Sequence, residues 1–422
     1  MASNKQRNQS LEGEVAVPNL PQEVIQEILL RLPVKSLCRF RCISKSWLSR
    51  ISSPQFAKAH LDIALRSNIL YSQRQRLIFS SGNLYSVEYE SICNTNGRDI
   101  AVVTLDYPLK EKANGRDDVL DDSRGNDLVY YKVSEDEDEN PVIVKVDAKF
   151  SSKVTKLDDI WVEIFGSCNG LVCIAPEEDT LFLFNPSTGE SKRIPEQSLS
   201  RSAPYGYNSY GFGYDPTTDD YKVVLIGAVS AFNVYAFSVY SMRTACWGRI
   251  KTFPYDSFVC GAGVFLHGAL HWVARNRESE DDKYVVSAFN LENELFQDMP
   301  VPDVDDCFEF VLGTLKECLC LLYSQSDMHN DFWMMREYGL GKSWTRVTIT
   351  YSYICMVPLC LAQNGEALLE LDGTLVQHNL ETGTYETLEF EGLPIGGGFE
   401  AATYVESLIS PNTYFGREIQ ML

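Results

Sequence analysis

The chain has 422 residues, 45% hydrophobic and 23% charged, with a formal net charge of −21 and a pI of about 4.7. That length allows two or three domains, and the composition is that of an ordinary folded protein rather than a disordered chain or a coiled coil. So acidic a chain repels phosphate backbones and anionic lipid, which excludes a general nucleic-acid or membrane-surface binder.

The charge is unevenly spread. Residues 1–63 carry nine basic and five acidic side chains, a surplus of +4 that leaves −25 for the remainder. Such asymmetry implies two modules with different partners. No run approaches the ~18–20 apolar residues of a membrane span, and the polar N-terminus lacks a signal-peptide core. A cytoplasmic or nuclear location is therefore expected. The twelve cysteines then read as reduced, buried apolar residues. Their spacings, as between Cys38 and Cys42 or Cys318 and Cys320, give no paired C-x-x-C elements, so no metal or other cofactor is expected.

Residues 1–16 are polar and without periodicity, and read as a disordered leader. Pro21 then suits the first turn of a helix, where its missing N–H costs nothing, and Glu23 favours the positive helix end. Val24, Ile25, Ile28, Leu29 and Leu32 follow at helical spacing, and Pro33 ends the run. A second short helix is expected over Val34–Phe40. A third, capped by Ser44, would carry Trp47, Leu48 and Ile51 and stop at Pro54. The apolar positions occupy more than one face of these helices, so something beyond the module must cover the surplus.

In order, Leu20 to Trp47 reads LPQEVIQEILLRLPVKSLCRFRCISKSW. This stretch closely resembles the plant form of the F-box, and the resemblance covers residues 17–63. It implies a docking module for a small Skp-type adaptor, which links F-box proteins to the cullin and RING subunits of SCF-type ubiquitin ligases. By the same resemblance Leu20, Pro21, Val24, Ile28, Leu29, Leu32, Pro33, Leu37, Cys42, Lys45 and Trp47 fall at docking or F-box core positions. The basic side chains Arg31, Lys35, Arg39, Arg41 and Lys45 suit an acidic partner, steering encounter more than adding affinity.

From Arg66 the helical period gives way to short β-like runs bounded by Gly, Asn, Asp, Ser or Pro. They include Asn68–Tyr71, Gln75–Ser80, Asn83–Glu90, Leu171–Ala175, Thr180–Asn185, Tyr221–Ile226 and Phe237–Ser241. Gly263–Leu266, Ala269–Ala274, Val285–Asn290, Phe310–Leu315, Cys318–Ser324, Phe332–Tyr338, Ala367–Leu371 and Leu375–Asn379 follow. So many strands without intervening helices argue against a βαβ fold. A weak repeat lies over them: a strand, a turn, then an edge strand often followed by proline. It recurs at Phe184–Pro195, Val239–Pro254, Ala288–Pro302, Arg336–Ile349 and His378–Phe390. That period suits the blades of a β-propeller, with a pair of β-sandwiches as the alternative.

Five stretches carry a second resemblance: GSCNGLVCI from Gly166, FNPSTGE from Phe184, YGFGYDPTTDDYKVV from Tyr210, LHGALHWVA from Leu266 and YVESLISP from Tyr404. They are similar to the F-box-associated domain of plant F-box/kelch-repeat proteins. The expected fold is thus a small all-α F-box followed, over 64–422, by an all-β propeller of about six blades. Ala401–Val405 is expected to close the ring by pairing beside the strands of Asn68–Glu90. Within this domain Lys110–Pro141 holds Asp117, Asp118, Asp121, Asp122 and an acidic run over residues 135–139. Like charges in a block cannot pack, which marks solvated excursions around a strand at Leu128–Val133.

No catalytic constellation emerges. His267 and His271 have the spacing of a zinc pair on a helix, but Gly268 and the surrounding alternation make a hairpin. The stretch Gly166–Gly170 is not a nucleophile elbow, since its serine stands second, and Cys168 reads as a small buried residue. The resemblance therefore implies a non-catalytic substrate receptor of an SCF-type ligase that directs a bound protein to ubiquitination and degradation. Loops on a rigid scaffold carry recognition. The candidate substrate loops are 201–207, 276–282 and 325–331, with Arg201, Tyr205, Tyr207, Arg277, Met328 and His329 as contact residues. Three alternatives remain open at this point: an S-locus-type F-box protein recognising a secreted ribonuclease, an F-box protein acting outside a ligase, and a propeller enzyme with a helical cap.

Overall fold

The computed structural model describes residues 20–413 except 82, 96–100, 111–129, 136–140, 147–161, 178–179, 198, 200–207, 229–234, 256, 259–260, 277–282, 303–308, 325–328, 362–364 and 389–398. The expected leader, residues 1–16, lies outside this range.

Five helices open the described chain: α1 Gln22–Arg31, α2 Val34–Phe40, α3 Lys45–Ile51, α4 Pro54–Arg66 and α5 Asn68–Arg74. Leu32, before Pro33, is extended and ends α1. Ser44 caps α3 by accepting the Trp47 N–H at 3.2 Å. Pro54, expected only as a stop, also begins α4. At the first helical position its missing N–H is no loss, and Ser53 accepts the Phe56 N–H at 3.2 Å. Asn68–Tyr71, expected as a strand, is instead the first turn of α5, capped by Ser67 on the Leu70 N–H at 3.3 Å. A four-residue apolar run is too short for its period to separate strand from helix. The helical module thus runs to Arg74 rather than ending at Ile63. The run Asn83–Glu90 is likewise divided, a strand at Leu84–Glu88 giving way to α6, Tyr89–Thr95.

The β-domain is a propeller of six antiparallel sheets. From the inner strand outward, blade 1 is Glu400–Val405, Gln75–Ser80, Leu84–Glu88 and Val102–Thr104. Blade 2 is Glu163–Cys168, Leu171–Glu177, Thr180–Phe184 and Ser191–Arg193. Blade 3 is Asn208–Asp215, Asp220–Ala228 and Tyr235–Ser241, with Cys246–Trp247 and Lys251–Thr252 outermost. Blade 4 has Ser257–Phe258 and Val264–Leu266 innermost, then Ala269–Asn276, Lys283–Asn290 and Leu295–Met299. Blade 5 is Glu309–Leu315, Cys318–Ser324, His329–Met335 and Trp344–Tyr353. Blade 6 is Met356–Leu361, Glu366–Leu371, Thr374–Asn379 and Tyr385–Leu388. The ring closes as expected. Gln75 to Ser80 pair in register with Val405 to Glu400, so blade 1 takes strands from both ends of the domain.

The weak repeat is the hairpin between the third and outer strands of a blade. In three of them an asparagine opens the turn with its side-chain oxygen: Asn185 accepts the Ser187 N–H at 2.8 Å, Asn290 that of Glu292 at 2.9 Å, and Asn379 that of Glu381 at 3.0 Å. The outer strands also clasp their neighbours. Trp247 Nε1 of blade 3 donates to the Pro195 carbonyl after blade 2 (2.6 Å), and Trp344 Nε1 of blade 5 to the Pro300 carbonyl after blade 4 (2.8 Å). Between blades 1 and 2 the chain also forms a separate hairpin, Tyr130–Glu135 with Pro141–Val146, overlapping the expected strand. Most of the acidic stretch 110–141 lies outside the described residues.

Candidate functional site

All blades share one strand direction, so the propeller has two unlike ends. First-to-second and third-to-outer hairpins turn at one end, and the remaining connections leave from the other. The helical module occupies the first. Leu29, Leu30, Val34, Leu37, Ile51, Phe56 and Leu61 share one apolar core with Leu171, Leu183, Phe212, Tyr221, Met242 and Leu408 of the propeller. At ~1.5–3 kcal/mol per fully buried aliphatic side chain, this contact joins the two into one body. Polar links hold its rim. Lys58 pairs with Asp219 in the first turn of blade 3, and Arg41 with Glu190 in the last turn of blade 2 at 3.8 Å. Arg41, expected to face an acidic partner, is thus turned inward. Lys35, Arg39 and Lys45 are exposed.

A buried polar knot fixes the angle of the module. Arg74, 3% exposed, donates to the carbonyls of Leu30 (3.2 Å), Leu32 (3.2 Å) and His60 (3.0 Å). These include carbonyls that the end of α1 leaves without helical partners. His60 sits beside it with Nε2 2.9 Å from the Leu32 carbonyl and Nδ1 3.2 Å from Arg74. Burial and the Arg74 charge lower its pKa to about 4, so the ring is neutral at ordinary pH. Neither residue stands out in the sequence, because their partners are backbone atoms of distant helices.

With one face of the module committed, the opposite face is bare. Leu20, just before α1, and Val24 and Ile28 on it, at four-residue spacing, are 56%, 42% and 48% exposed. Leu48 and Ile43 are exposed as well, and neither was among the expected contacts. Pro21, Pro33, Cys42 and Lys45 are also exposed. Leu29 and Leu37 are buried, while Leu32 and Trp47 are half-buried against the shared core, Trp47 edge-on to Phe40 at 5.6 Å. The expected set therefore divides into surface and core.

The inner strands surround a channel of about 550 Å³, lined by residues that include Phe165, Phe265, Trp272, Phe310, Phe399 and Glu370. Of the candidate substrate residues, Arg201, Tyr205, Tyr207, Arg277 and Met328 lie outside the described residues. His329 opens the third strand of blade 5, half-buried, with its ring 6.2 Å from Tyr353. The strand ends that bracket all three candidate loops lie at the end of the propeller remote from the helices.

The histidine pair does form a hairpin turn, with His267 and Gly268 in the left-handed region (φ 48° and 76°). Both rings nevertheless meet Tyr338, at 4.9 and 5.6 Å. His271 has both nitrogens occupied, by the Val264 carbonyl at 3.0 Å and the Tyr338 hydroxyl at 2.8 Å. Among the described residues no group of three or more His, Cys, Asp or Glu is placed to hold a metal ion. Cys168 is buried, and burial pushes its thiol up to about 12, away from an activated nucleophile.

Comparison with known proteins agrees with this architecture. The F-box domain profile matches residues 17–58 and that of the F-box associated beta propeller domain residues 125–372. The chain belongs to the family of proteins with an F-box associated β-propeller. It is 28% identical to an F-box/kelch-repeat protein of Arabidopsis thaliana over 401 residues, covering 93% of this chain and 96% of that one. It is 28% identical to the F-box protein CPR1 of the same plant over 426 residues, covering 92% and 88%. F-box and propeller together support a substrate-recognition adaptor role in SCF-type ligases, and the F-box implies binding to a Skp-type adaptor.

Proposed function

We propose that this chain is the non-catalytic substrate-recognition subunit of an SCF-type ubiquitin ligase. The helical module docks to a Skp-type adaptor, and through it to cullin and RING subunits. The end of the propeller remote from the helices holds a substrate protein for ubiquitination and proteasomal degradation, in the cytoplasm or nucleus. The chain contributes proximity, raising the effective concentration of substrate lysines near charged ubiquitin. The observation that carries this reading is the bare row of Leu20, Val24 and Ile28, with Leu48 of the same module also exposed, on a module whose other face is spent on the propeller. Apolar side chains left in water on a face that continues a docking motif are anchors for a partner.

Ile28→Asp tests it, because this side chain is outside the core. Adaptor pull-down by the full chain should be lost while its melting transition stays where it was. Undiminished pull-down would sink the proposal. Leu32→Asp is the poorer test, since Leu32 packs against the shared core and a loss of binding there could report unfolding.

A further inference from the structure

Behind residue 63 the chain carries a net −25, yet residues 241–253, SMRTACWGRIKTF, hold Arg243, Arg249 and Lys251 and no acidic residue. They belong to the outer hairpin of blade 3, and a bulge shapes it. Tyr240 pairs with Trp247 and Phe237 with Lys251, so three steps along one strand face four along its neighbour. An extra residue in one strand bends it and re-aims its side chains. Gly248 anchors the bulge, donating its N–H to the Val239 carbonyl at 2.7 Å and accepting the Ser238 hydroxyl at 3.1 Å. Arg249 and Ile250 follow, both exposed.

Beside the bulge lies a cavity of about 160 Å³ whose lining includes Thr244, Cys246, Trp247, Arg249, Lys251 and, from the turn of blade 4, Glu294. The acid there is already paired. Glu294 meets Lys251 at 3.1 Å and the buried Lys222 at 3.7 Å. Asp220 is buried too, accepting the Ser241 hydroxyl and the Arg243 backbone N–H. The guanidinium groups of Arg243 and Arg249 have no acidic partner among the described residues. Ile250 and Leu295, each next in the chain to one member of the Lys251–Glu294 pair, are 49% and 63% exposed.

We infer that this rim between blades 3 and 4 is a docking surface for an acidic, extended segment of a partner protein. Its carboxylates meet Arg243 and Arg249, and an apolar side chain seats against Ile250 and Leu295. Exposed cations without counter-ions on an otherwise acidic molecule concentrate negative charge at one place. The aliphatic side chains beside them call for a ligand with apolar surface, which a free anion lacks. A bulged edge is a poor template for strand pairing, so recognition runs through side chains. The hairpin that presents them is firmly seated, since Met242 and Trp247 join the core shared with the helical module. The surface thus belongs to the helical side of blade 3, apart from the end proposed for substrate, and does not depend on the receptor role.

The test is binding of a fluorescein-labelled peptide of Glu and Gly with one central Leu to the full chain, at physiological salt. The rest of so acidic a chain repels this probe, so its binding reports the patch. Arg243→Gln with Arg249→Gln should weaken it about tenfold or more. The melting transition should stay where it was, because neither guanidinium is paired. The same charge change on blade 5, Lys316→Gln with Lys342→Gln, should cost about twofold at most. Leu295→Ser should weaken the peptide about threefold. No binding, or equal weakening by both charge pairs, would overturn the inference. Unchanged affinity in Leu295→Ser would overturn it too, marking an adventitious anion site only. Dimers of the full chain that dissociate in the Arg243, Arg249 double variant would make a second copy the occupant and overturn it as well.

Discussion

The two ends of the propeller are built to different standards. At the helical end the turns are short and individually secured. Asn169 and Gly170 turn in the left-handed region at φ 54° and 83°, and a Cβ on Gly170 would lie 2.3 Å from Ser407 Oγ. Asn185, fully buried, holds its own turn and also donates to the Ser407 and Ile409 carbonyls at 3.1 and 2.7 Å. At the remote end lie the longest connections between blades, and Glu163, Glu370 and Glu400 stand at strand ends there. The five stretches that resemble the F-box-associated family all lie at the helical end, in its hairpins or in the segment leaving blade 1. Rigid turns are demanded where another module must seat against them.

This contrast can be broken in order of expected damage. Ending the chain at Gly398 removes the inner strand of blade 1 and with it both the ring closure and the 404–411 segment under the helices. Cooperative melting should be lost, and an unchanged transition would show that closure contributes nothing. Arg74→Ala strikes the helical end alone. It takes the buried donor from the Leu30 carbonyl and His60 Nδ1 and leaves the Leu32 carbonyl with His60 Nε2 alone, which should cost about 3 kcal/mol in denaturant unfolding.

The smallest effect separates the ends by pH. His60 and His271 have folded pKa values near 4, below their ordinary 6.5, so their stability contribution is lost as pH falls from 6.5. Glu370 has the opposite sign. Its folded pKa near 7 lies above the ordinary 4.5, so its contribution is present at low pH and lost as pH rises through 7. Glu370→Gln removes only the latter. Between pH 7 and about 5.5 the variant should lose roughly 1–2 kcal/mol more than the unmodified chain, read from parallel unfolding curves.

The helix stops, the Ser44 cap and most strands follow from local signals: proline positions, turn residues and side-chain period; the pairing that closes blade 1 was implied by the family resemblance. The sequence also located the F-box, since its residues are contiguous. Short runs were misread where no period could develop, as at Asn68–Tyr71, which a single serine cap turns into helix. Which F-box residues face outward was not legible. Leu29 and Ile28 are equally apolar neighbours, and only the seating of α1 on the propeller buries one and bares the other.

Chain charge followed the same division. Composition alone gave a surplus of +4 at the front and −25 behind, and with it two modules. Tertiary structure decided what those charges do. It turned Arg41 inward to Glu190, and it brought Glu163, Glu370 and Glu400, hundreds of residues apart at the extremes, to one channel mouth. The physical reason is range. Caps, turns and periodicity act over a few residues and are written locally, whereas burial and charge environment depend on which distant strands the closed ring makes neighbours.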